Sequence, residues 1–77
     1  MNAFHVRLQF QKQKDGPAVD GTWEDELRAR QKFTAWIGTY GSLEDVVIRL
    51  VEEHDDGHRR TLRTWTKQTG DVEGDLP

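Results

Sequence analysis

The stretch that decides the fold runs from residue 46 to residue 67. Val46-Val47-Ile48-Arg49-Leu50-Val51-Glu52-Glu53 leads into Asp55-Asp56-Gly57, followed by Arg59-Arg60-Thr61-Leu62-Arg63-Thr64-Trp65-Thr66-Lys67. Two β-rich runs around an Asp-Gly step read as a hairpin. A two-residue Asp56-Gly57 loop pairs Glu53 with Arg60, Val51 with Leu62 and Ile48 with Trp65. Opposite-charge and apolar cross-strand pairs each contribute roughly 0.2–1 kcal/mol, so this register is chemically consistent. The returning strand also gathers Arg59, Arg60, Arg63 and Lys67 with no acid among them, inside a chain of net charge −3.

A competing reading exists for residues 42–54. Ser42 with Asp45 resembles a capping box, and Leu43, Val46, Val47, Leu50 and Val51 fall at helical spacing. The β-branched Val46-Val47-Ile48 run and the need of the returning strand for a partner favour strand.

Upstream, Phe4, Val6, Leu8 and Phe10 alternate with His5, Arg7, Gln9 and Gln11, the period of a half-buried strand. Residues 12–21 carry two Gly and one Pro and read as a polar loop. Thr22 then reads as the N-cap of a helix, with Asp25 in the capping-box position and Glu24, Asp25 and Glu26 in the first turn. Trp23, Leu27, Ala29, Phe33, Trp36, Ile37 and Tyr40 make a wide apolar stripe, and Gly38 and Gly41 end the helix.

The expected order is β-α-β-β. One amphipathic helix packs on a three-stranded sheet in a two-layer α+β architecture. The helical crossover makes the first two strands parallel, and placing the third between them gives an arrangement similar to half of a ferredoxin-like fold. Residues 1–69 form the single expected domain, and 70–77 an acidic, disordered tail. The first strand is then a free edge, which invites a partner strand or a second copy.

The composition limits function. Seventy-seven residues leave little room for a water-excluding pocket, and the absence of cysteine removes disulfides, Cys-based zinc sites and thiol nucleophiles. The acidic balance argues against a dedicated nucleic-acid binder. The chain contains no long apolar run, so a membrane partner is not expected and the cytoplasm is the expected compartment.

Ser42 is explained by capping, His5 has no evident acid partner, and Glu52 and Glu53 point to opposite faces of a strand. His54 and His58 flank the turn with two aspartates between them, but no third rigid metal ligand is evident. No catalytic group, cofactor or metal is assigned.

The predicted register leaves Val47, Val51 and Leu62 as a small apolar cluster among Arg7, Arg49 and Arg60 on the outer sheet face. Apolar patches rimmed by polar groups mark contact surfaces. The expected function is a non-enzymatic protein-interaction or regulatory module, either a homodimer or docked to a protein partner through that face or the first-strand edge. The alternative is nucleic-acid binding through the arginines of the same face.

Overall fold

A computed structural model describes residues 2–10, 19–43 and 45–75. The elements are β1 (Ala3–Phe10), β2 (Val19–Trp23), α1 (Glu26–Tyr40), β3 (Val46–Glu53), β4 (Arg59–Thr66) and β5 (Gly70–Glu73). The strands form one antiparallel sheet in the order β2-β1-β3-β4-β5, and α1 packs over β1, β2 and β3. The α+β class is as expected from the sequence, whereas the sheet has five strands instead of three.

The period-two pattern of β1 sets the core. Phe4, Val6 and Leu8 are buried beneath α1 with Val46, Ile48 and Leu50 of β3, while Ala29 and Phe33 descend from the helix. Trp23, Trp36, Ile37, Leu62 and Trp65 pack around this cluster. Trp23 and Trp36 meet edge to face, with centroids 6.4 Å apart and planes at 74°. Such aromatic pairs contribute about 0.5–1.5 kcal/mol beyond area burial.

β2 was not foreseen, and it reverses the topology. Val19 to Trp23 pairs antiparallel with β1, from Leu8↔Val19 to Phe4↔Trp23. The helical crossover therefore starts from β2, and β1 and β3 are antiparallel rather than parallel. The segment has one exposed Val and a central Gly, so its strand character comes from pairing with β1 and not from its own pattern. β1 consequently lies inside the sheet, and the edges are β2 and β5.

The helix begins later than Thr22. Asp25 is the N-cap, and its Oδ1 accepts from the Leu27 N–H at 3.0 Å. Trp23 thus belongs to the sheet, and Leu27, placed on the buried stripe by periodicity, is 63% exposed. At the other end the Gly41 N–H donates to the Ile37 carbonyl at 2.8 Å. A Cβ on Gly41 would collide with that carbonyl and crowd the Trp65 indole, so the helix end can approach β4 only through glycine.

Residues 46–53 are strand, and their hairpin differs from the expected one in two compensating ways. The loop has three residues, Asp55-Asp56-Gly57. His54 N–H donates to the His58 carbonyl at 2.8 Å and Gly57 N–H to the His54 carbonyl at 2.9 Å, with Gly57 at φ +87°. That is a turn closed by a left-handed glycine. It pairs Glu53 with Arg59 and Val51 with Thr61, one residue away from the expected partners. A β-bulge at Leu62 then absorbs the offset, so Leu50 pairs with Arg63 and Ile48 with Trp65 as expected.

The sheet also continues past residue 69. After a turn in which Thr69 N–H donates to Thr66 Oγ1 at 3.1 Å, Gly70–Glu73 pairs with β4 where an irregular tail was expected. Gly74 N–H donates to the Leu62 carbonyl at 2.8 Å and its own carbonyl accepts from Thr64 Oγ1 at 2.7 Å, tying down the chain beyond β5.

Candidate functional site

α1 covers one side of the sheet, and on the other side Val47, Thr64 and Thr66 are buried while the part nearer the hairpin end of β3 is accessible. Alternation sends His5, Arg7 and Gln9 of β1 to this other side, with Asp20 and Thr22 of β2, Arg49 and Val51 of β3, and Arg59 and Thr61 of β4. Together these side chains line a shallow depression of about 510 Å³.

A polar ladder crosses four strands at this face. Thr22 Oγ1 is 3.0 Å from His5 Nδ1, His5 Nε2 is 2.7 Å from Glu53 Oε1, and Arg59 Nη2 is 3.7 Å from the same oxygen. An ionised carboxylate only accepts, so Nε2 donates to Glu53, and in the neutral ring Nδ1 accepts from the Thr22 hydroxyl. His5 therefore has an acid partner that the sequence reading did not find. Glu53 is 48 residues away along the chain, and the β1–β3 register brings it close.

The remaining cations of this face are held more loosely. Arg7 Nε is 4.0 Å from Asp20 and Arg49 Nε is 3.2 Å from Asp75, with all four side chains at least partly exposed. Ion pairs of this kind contribute about 0–1 kcal/mol.

Of the residues proposed as the contact surface, Arg7, Arg49 and Val51 do share this depression. Val47 faces the same way but is only 3% exposed. Arg60 pairs with Glu52, and Leu62 packs against the helix-side core, so both belong to the opposite side of the sheet. The expected Val47–Val51–Leu62 cluster does not form. Its members were assigned to one face on a two-residue loop, and the third loop residue together with the bulge moves Arg60 and Leu62 away and brings in Arg59 and Thr61.

The aromatic residues are all elsewhere. Phe4, Phe10, Trp23, Phe33, Trp36 and Trp65 belong to the helix-side core or its margin, and Tyr40 is on α1. At the hairpin tip the two imidazoles turn to different carboxylates. His54 Nε2 lies 3.3 Å from Glu52, and His58 Nδ1 lies 2.7 Å from Asp56. The His58 backbone N–H, donating to Asp56 at 3.0 Å, and the His58 ring hold the Asp56 carboxyl below its usual range. Among the described residues, no three His, Cys, Asp or Glu side chains converge as metal ligands, and no helix is long and apolar enough to cross a membrane.

The chain matches no protein-family model, and comparison with curated proteins and with solved structures returns no match.

Of the lining residues, Asp20 was hidden with β2, and Arg59 was hidden by the loop count. Gln9 and Thr61 carry no signal beyond strand alternation, and alternation alone does not mark a binding residue.

Proposed function

We propose that the protein is a cytoplasmic, non-enzymatic interaction module that docks an acidic, extended segment of a protein partner across the open face of its sheet. The observation that carries this reading is the depression itself, where Arg7, Arg49 and Arg59 surround a floor fixed by the His5–Glu53 contact. Each guanidinium lies 3.2–4.0 Å from a carboxylate in a pair that is at least partly exposed. A partner's carboxylates can replace such partners with little loss, and planar guanidinium groups bind them bidentately.

Three other readings are less well supported. A permanent homodimer buries an apolar surface, whereas Val51 is the main apolar side chain lining this depression. Single-stranded nucleic acid requires aromatic platforms beside the cations, and the aromatics are on the helix side. Thr22, His5 and Glu53 have the order of a nucleophile–base–acid relay, but the depression is shallow and open to water, where donors stabilise a developing oxyanion far less than in an enclosed site.

The test is a titration of isotope-labelled protein with an alternating Glu/Thr decapeptide, its Lys/Thr counterpart and a thymidine oligonucleotide. The expected result is saturable shifts at Arg7, Arg49 and Arg59 with the acidic peptide alone. Saturable binding of the oligonucleotide instead would replace this reading with the nucleic-acid one. No response to any of the three contradicts both.

A further inference from the structure

The basic strand noted in the sequence is only partly used by the open face. Arg59 points there, but Arg60 and Arg63 pair with Glu52 and Leu50, on the helix side. The bulge is the cause. An extra residue in β4 directs Leu62 and Arg63, neighbours in sequence, to the same side of the sheet. Because α1 packs mainly over β1, β2 and β3 and meets β4 at Trp65, the helix-side surface around Arg60, Leu62 and Arg63 forms a shelf beside the helix. Arg30 reaches this shelf from α1, and with Arg60, Leu62, Arg63 and Glu73 it lines a depression of about 320 Å³.

The three arginines are not equally engaged. Arg63 Nε donates to both oxygens of Asp71, at 3.0 and 3.2 Å, and Arg30 Nε donates to Glu26 at 3.2 Å. Arg60 is exposed and forms no ion pair among the described residues. Glu52, opposite it, instead accepts from Asn2 Nδ2 at 3.2 Å and sits 3.3 Å from the His54 ring. Glu73 lines the shelf, Asp71 and Glu26 hold Arg63 and Arg30, and Arg60 is the guanidinium of the three with no ion pair among the described residues.

We propose that this shelf is a second, separate site that binds a phosphate monoester group, with Arg60 as its principal ligand and Arg30 and Arg63 at its flanks. A carboxylate has two oxygens and one charge, and Asp71 and Glu26 already supply that chemistry within the chain. A phosphate monoester brings three acceptor oxygens and close to two charges, so it can engage Arg60 and also use N–H groups of Arg30 and Arg63 other than the Nε–H groups held by Glu26 and Asp71. Leu62 offers an apolar floor for the carbon skeleton carrying the phosphate. The site does not depend on the docking reading of the opposite face.

The experiment follows the arginine Nε–H and backbone resonances during titration with inorganic phosphate, with O-phosphoserine in a capped tripeptide, and with acetate at matched ionic strength. Saturable shifts confined to Arg30, Arg60, Arg63 and their neighbours are expected with both phosphates. Arg60→Gln should weaken binding about tenfold, the scale of one lost charge-assisted contact. Glu73→Gln should strengthen binding, and Arg49→Gln on the other face should leave it unchanged. Tighter binding of the phosphotripeptide than of free phosphate identifies a phosphorylated chain as the source, and equal affinity identifies the phosphate group alone. Equal shifts with acetate, or an Arg60→Gln protein that binds phosphate as well as the parent, would overturn the proposal.

Discussion

The two sides of β4 carry the same residue type in different settings. On the open side Arg59 ends a ladder that runs through Glu53 and His5 to Thr22, joining four strands. On the helix side Arg60 stands beside two arginines whose carboxylates lie on their own element or an adjacent strand. The first arrangement makes a floor in which cations and acids are joined across the sheet. The second leaves one cation without an ion-pair partner among the described residues. A single offset of one residue, introduced by the three-residue loop and cancelled at Leu62, decides which arginine goes to which side. Charge counted along the strand therefore says little until the bulge is located.

This contrast can be tested by substitution, beginning with what supports both faces. Leu50 is fully buried in the core beneath the helix, and Leu50→Ala should lower unfolding free energy by about 2–5 kcal/mol in urea titrations. His5→Ala acts on one face only. It leaves Glu53 with Arg59 alone and should cost about 1–3 kcal/mol, because a hydrogen bond to a charged, part-buried group is lost. A cost below ~0.5 kcal/mol, the range of ordinary surface substitutions, would mean that the ladder is only a surface decoration.

The hairpin tip should contribute a smaller, pH-dependent increment. Asp56 has its carboxyl pKa lowered in the fold from an ordinary value of 3.8, so its contribution is present above that pH and is lost as pH falls through the lower folded value. Thermal melts between pH 5 and pH 2.5 should show this acid-side loss, and Asp56→Asn should flatten that part of the profile. The smallest effect is expected at Arg60. Arg60→Gln should change stability by no more than ~0.5 kcal/mol while altering phosphate binding, the opposite of the pattern at His5.

Much of the scaffold was legible in the sequence. The alternation of Phe4 to Phe10, the helical stripe centred on Ala29 and Phe33, and the Ile48–Trp65 pairing all follow from periodicity and turn chemistry. β2 was not legible, because Val19-Asp20-Gly21-Thr22-Trp23 looks like a loop leading into a helix cap and becomes a strand only against β1. β5 was concealed by its acidity, since Asp71 reads as tail composition until Arg63 is seen beside it. Of the residues lining the depression, Arg7, Arg49 and Val51 follow from strand alternation and the hairpin pattern. Arg60 and Leu62 were placed on the wrong face because an odd loop and a bulge leave no periodic trace.

The central claim is that the two cationic faces bind different ligands independently. Its most direct test is a crossed titration of Arg49→Gln and Arg60→Gln proteins with the acidic decapeptide and with inorganic phosphate. The account predicts that Arg49→Gln weakens the peptide about tenfold and spares phosphate, and that Arg60→Gln does the reverse. If either substitution weakens both ligands equally, the faces are one diffuse electrostatic surface and the account is contradicted.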